Sequence, residues 1–187
     1  MVRILRRYKS TIYGNYRAAY LKYGLLTGLV ISVVVVLCRI CFPEHFPAAP
    51  NNYLTEIVLT ICVFIAGYLY RRQYSEQELT LKELMLLGLG IGVISSVVYG
   101  LFLWLMCGQM FPDVVNVYIE NRLAQMDAPE TSAEAKVAVE LTKGYTAGDW
   151  AFIGGFRTAV FSVIVAFAMA LILGGKRGSL VEKKSKK

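Results

Sequence analysis

A chain of 187 residues that is 56% hydrophobic, with a mean hydropathy of +0.51, has the length of one domain and is too apolar for an ordinary soluble one. Its net charge of +7 collects in short flanks beside apolar runs, where it orients a membrane chain and argues against a nucleic-acid surface. His45 is the sole histidine, so a multi-histidine metal site is excluded, and the carboxylates show no ligand spacing that would replace one.

Residues 1–22 carry Arg3, Arg6, Arg7, Lys9, Arg17 and Lys22, with Tyr13, Tyr16, Tyr20 and Tyr23 spaced three and four apart. This pattern predicts a cytoplasmic amphipathic helix at the lipid headgroups, aromatic rings at the interface and cations toward anionic lipid. The apolar run that follows is longer than a signal-peptide core and no small-residue cleavage site follows it, so the first span, 23–41, is expected to stay in the mature protein. Gly24, Gly28 and Ser32 repeat along it every four residues. Pro43, Pro47 and Pro50, then Asn51 and Asn52, make a short turn before the second span, 54–70, which Arg71 and Arg72 close.

Thr80 and Glu83 have the Thr-x-x-Glu spacing of a capping box, in which hydroxyl and carboxylate each satisfy a free backbone N–H at the start of a helix. The third span, 84–106, contains no charged side chain and is long enough to cross roughly 30 Å of hydrocarbon. Gly88, Gly92, Ser96 and Gly100 form a strip along it that is almost bare of side chains, where another helix can approach closely. Residues 112–149 are the longest polar segment and mostly acidic. Val115, Ile119, Leu123 and Met126 share one stripe, Pro129 breaks it, and Thr131 with Glu134 forms a second possible capping box, which predicts a helical loop outside the membrane. The fourth span, 152–173, repeats Gly154, Thr158, Ser162, Ala166, Ala170 and Gly174 every four residues, and a basic tail, 176–187, follows.

Lysines and arginines crowd the N-terminal flank, the loop after the second span and the tail. The positive-inside rule then puts both termini in the cytoplasm and the Pro-rich turn and acidic loop in the periplasm. The fold class is all-α: a four-helix transmembrane bundle with an N-terminal interfacial helix and a periplasmic helical loop. Three small-residue strips in four helices leave room for an intermolecular contact, so a homo-oligomer or a membrane-protein partner is expected besides the lipid bilayer.

Candidate chemistry is sparse. Arg39, Glu56 and Arg157 are expected at similar depth near the outer face, as an ion or anionic-ligand site or as an ion pair that locks helices. Cys38 and Cys41 form a Cys-x-x-Cys pair, with Cys107 at the same outer end, which suggests periplasm-facing thiol oxidoreduction. An apolar helix raises a thiol pKa and works against that chemistry. Gly88, Gly90 and Gly92 have no preceding strand, and no third glycine stands at the offset that a nucleotide loop requires. No nucleophile, base and orienter pair up, and neither an enzymatic activity nor a cofactor is expected.

The stretch Tyr23-Gly24-Leu25-Leu26-Thr27-Gly28-Leu29, the exit Tyr70-Arg71-Arg72, the entry Leu79-Thr80-Leu81-Lys82-Glu83-Leu84, the acidic loop and the small-residue fourth span ending in lysines resemble a bacterial family of four-span membrane proteins, domain of unknown function 4199. The resemblance implies the fold and an inner-membrane location, and carries no activity or site residues. The expected role is a non-enzymatic structural or interaction component of the membrane; a small transporter or ligand-binding protein using the Arg/Glu cluster is the first alternative.

Overall fold

In a computed structural model, residues 2–41, 53–73, 80–110 and 144–174 are described, with positions 137 and 140; side chains are described from residue 18 onward. Helix α1 spans Val2–Cys41, α2 Tyr53–Gln73, α3 Leu81–Leu105 and α4 Ala147–Leu173, and α3 continues as a π-helical turn, Met106–Met110. Among the described residues there is no strand. Most of the expected outer loop and all of the tail lie outside the described residues.

From sequence, a boundary falls at residue 22, between an interfacial helix and the first span. The structure runs one uninterrupted helix from Val2 to Cys41, of which Ala18–Cys41 is the stretch apolar enough to cross a membrane. The physical reason is the absence of a breaker, since the first proline in the chain is Pro43. Helices α3 and α4 start earlier than the apolar runs suggest, because capping extends them. Thr80 and Glu83 form the expected box, with Glu83 N–H donating to Thr80 Oγ1 at 3.3 Å and Thr80 N–H to Glu83 Oε2 at 2.9 Å. Thr146 and Asp149 form an equivalent box that starts α4 at Ala147.

The pairing of small residues sets the threading. Gly88 meets Ala166, Gly92 meets Ser162, and Gly100 faces Ala151 and Gly155, so α3 and α4 run antiparallel in constant register. Gly24 meets Ile94 and Gly28 meets Val98, so α1 runs parallel to α3. Helix α2 runs parallel to α4 and packs on both α1 and α4, with α3 most extensively packed against α4 and α1. All three small-residue strips are therefore taken up inside one chain.

Ile31, Leu59, Val63, Leu84, Leu87, Ile91, Trp150 and Met169 fill the space between the helices. Their counterparts face outward: Leu29 and Val33 on α1, Ile61 and Ile65 on α2, Val93, Val97 and Leu101 on α3, Phe156 and Val160 on α4 are all exposed. In water such a belt would be a liability, whereas hydrocarbon is its natural solvent. All four helices contain a stretch long and apolar enough to cross a membrane, Ala18–Cys41, Tyr53–Gln73, Leu81–Met110 and Ala147–Leu173. The fold is that of a multi-pass membrane protein.

Candidate functional site

Within the bundle, one polar constellation joins α2, α3 and α4. The Arg157 Nε–H donates to Glu56 Oε1 at 2.8 Å and Nη2 lies 2.5 Å from the same oxygen. The guanidinium also sits 5.7 Å from the centre of the Tyr53 ring, near enough for a cation–π contact. Next to Glu56 in the chain, Thr55 brings its hydroxyl to 3.4 Å from that of the buried Tyr99. Helix α2 supplies Tyr53, Thr55 and Glu56 from its first turn, where an acid also suits the positive end of the helix dipole.

Because α4 begins at Ala147, Arg157 stands ten residues into its helix, roughly 15 Å from the start at 1.5 Å per residue. From sequence, with a span starting at Phe152, half that depth is expected; the capping box accounts for the difference. The Thr55–Tyr99 contact also places the start of α2 level with Leu101, so α3 runs on to Met110 roughly 14 Å beyond it. The Arg157 and Glu56 side chains keep 30% and 18% exposure below this step.

Arg39 does not share the depth expected for it. Carrying the α1–α3 register forward sets it level with Gln109, roughly 18 Å along the bundle from the Arg157 level. It is 9% exposed. The structure thus brings two of the three candidate charges together and separates the third in depth.

The same two helices are joined again at their other end, where Arg71 Nη1 donates to the Leu173 carbonyl oxygen. A cation at a helix C-terminus satisfies a free carbonyl and complements the dipole. Nothing in the sequence pairs Arg71 with α4, since the two residues are far apart in the chain. Between these ties Gly67 lets Met169 approach.

A family model described as Protein of unknown function (DUF4199) matches residues 22–174, which covers all four apolar helices of the bundle from Lys22 onward. The chain belongs to this family. No curated protein and no solved structure matches it.

In this DUF4199 chain the hydroxyls of the packing strips are turned back onto their own helices. Ser32 donates to Gly28 O, Ser96 to Val93 O, Thr158 to Gly154 O and Ser162 to Ala159 O, all between 2.6 and 2.8 Å. A serine or threonine so engaged is neither an inter-helix bond nor an activated nucleophile. Gly88, Gly92, Ser96, Gly100, Gly154, Thr158, Ser162 and Ala166 are thereby brought together as packing residues. Cys38, Cys41 and Cys107 also gather at one end by register, as free thiols; Cys41 is exposed, Cys38 half-buried and Cys107 enclosed in the π-helical turn. Among the described residues, no three His, Cys, Asp or Glu side chains gather to hold a metal.

Proposed function

We propose that the protein is a non-enzymatic component of the bacterial inner membrane, with both ends of the chain in the cytoplasm, and that its membrane-embedded ion pair clasps helices. The carrying observation is that Glu56 and Arg157 satisfy each other across α2 and α4 while Arg71 ties the same two helices at their far end. Paired charges are the form in which ionisable groups are tolerated at membrane depth. Interactions with lipid and with other membrane components are the work left to such a bundle.

The test is charge exchange. Arg157→Leu is expected to lower the melting temperature in detergent, and the swapped pair Glu56→Arg with Arg157→Glu to recover most of it. An unchanged melting temperature in Arg157→Leu would sink the clasp. Orientation is tested separately by labelling Glu130→Cys and Ser185→Cys from each side of intact cells, where reagents that do not cross the membrane should reach the first and not the second.

A second reading, a small transporter or ligand-binding protein, is favoured by one observation: Arg157 keeps 30% exposure under an aromatic ring that is itself 74% exposed. In that case Arg157→Leu abolishes a ligand signal with thermal stability intact.

A further inference from the structure

The contacts between α1 and α3 fix how deep each α1 residue sits. Tyr20 packs on Gly90, Gly24 on Ile94 and Gly28 on Val98, a constant offset that sets Lys22 level with Gly92. Along α3, Lys82 lies roughly 15 Å to one side of that level and the exposed Trp104 roughly 18 Å to the other. Arg72 belongs with Lys82, since Arg71 donates to the Leu173 carbonyl and Gly174 abuts Leu81. Tyr53 belongs near Trp104, since Thr55 meets Tyr99. Cations at one boundary and aromatic rings at the other enclose a thickness close to the roughly 30 Å of a hydrocarbon core, and Lys22 stands near its middle.

Lys22 also faces out of the bundle. It is exposed, and so are Leu21, Leu25, Leu26 and Leu29 around it on α1. At the same level the other three helices turn aliphatic side chains outward, Ile61, Val93 and Val163. The Lys22 ammonium lies 5.9 Å from the centre of the Tyr23 ring, a neutral neighbour that leaves the charge uncompensated. Among the described acids, Glu56 is held by Arg157, Glu83 and Asp149 close capping boxes at helix starts, and Glu140 precedes the start of α4. Glu76 and Glu78 belong to the connection from Gln73 to Thr80, both ends of which lie near the Lys82 level.

A charge displayed to hydrocarbon at this depth is costly, and ionisable side chains in membrane spans ordinarily face protein, a partner charge or water. Snorkelling does not remove the cost here. The five bonds from a lysine Cα to Nζ cover roughly 6 Å, less than half the distance to the Lys82 level. The complement must therefore come from outside the chain. A second copy meeting this face would bring two Lys22 ammonium groups together, with no described acid at their depth.

We infer that the outer face of α1 around Lys22 docks a transmembrane helix of another membrane protein, one that carries an aspartate or glutamate near mid-bilayer. The carboxylate pairs with Lys22, and Leu25, Leu26 and Leu29 pack beside it. The inference deepens the reading of this chain as a non-enzymatic membrane component and rests on it, but it does not depend on the Glu56–Arg157 clasp.

The test uses the full chain in phosphatidylcholine liposomes with a labelled synthetic transmembrane helix of leucine and alanine, read by energy transfer. With one glutamate at its centre, the peptide is expected to associate about tenfold more tightly than the same peptide with leucine there. Moving the glutamate seven residues toward either end, roughly 10 Å, should lose most of that gain. Lys22→Leu should abolish it and Lys22→Arg keep it, with the melting temperature of both variants no lower than that of wild type. Equal association of the glutamate and leucine peptides, a gain indifferent to glutamate depth, or an undiminished gain in Lys22→Leu overturns the proposal. If Lys22→Leu fails to fold, the depth dependence in wild type decides alone. A dimer in peptide-free liposomes that Lys22→Leu removes would assign the face to a second copy, and loss of the gain on adding phosphatidylglycerol would assign it to a lipid headgroup; either outcome overturns the proposal. Arg157→Leu is expected to lower the melting temperature and leave the peptide preference in place, which keeps failure of the clasp distinguishable from failure of the docking face.

Discussion

Helix α4 meets its two main neighbours by opposite means, and the contrast shows how a membrane bundle is held without a hydrophobic driving force. Against α3 the described residues show close backbone approach and not polar ties: the two helices come together along Gly88, Gly92 and Gly100 and their partners Ala166, Ser162 and Gly155. Against α2 it has fewer close approaches and two polar ties, Arg157 with Glu56 and Leu173 O with Arg71. The first contact is dispersion at short range, spread over many atoms and intolerant of added volume. The second is concentrated in a few atoms and intolerant of lost charge.

The sharpest way to break this comparison is to add volume to the seam. A Cβ on Gly92 already overlaps Ser162 Cβ and Oγ, so Gly92→Leu should cost about 3 kcal/mol, read as a lowered melting temperature in detergent. An unchanged melting temperature would remove the seam from the account of stability. Next comes Arg157→Leu, which strands the Glu56 carboxylate; with the pair partly exposed, a loss of about 2 kcal/mol is expected. The double change Glu56→Leu with Arg157→Leu should cost less than the single one, because it leaves no charge behind. A smaller effect, about 1 kcal/mol, is expected for Thr146→Ala, which opens the capping box of α4, and hydrogen exchange should report faster opening of its first turn. Smallest of all is Ser95→Ala. Its hydroxyl donates to Gly92 O in its own helix at 2.9 Å, so removal should change stability by less than about 0.5 kcal/mol, and a larger loss would mean the hydroxyl matters across the seam.

Much of this architecture was legible in residue order. The strip Gly88–Gly100 and the strip Gly154–Ala166 announce close approach because a helix repeats its face every three to four residues, and the structure packs one against the other. What periodicity does not carry is who faces whom, and that is why the strips could be counted without seeing that α1 lays Gly24 and Gly28 against the other side of α3. The Glu56–Arg157 partnership was visible as two charges in apolar runs. Its depth was not, since Thr146 and Asp149 start α4 ahead of the apolar run and a Thr-x-x-Asp spacing is an easily overlooked variant of the capping box. Arg39 was misplaced in depth for a related reason: α1 stands farther along the bundle than α2 begins, and only inter-helix register reveals such an offset.

Teeth set at every fourth residue allow two rods only discrete settings. For α3 to slide along α4 and mesh again it would have to jump a full notch of four residues, roughly 6 Å, past positions where Cβ atoms collide. The pair is accordingly a keel that does not creep. Any change of shape in this molecule must pivot about that keel, with the shorter α2, held by a few polar pins, as the stave that swings.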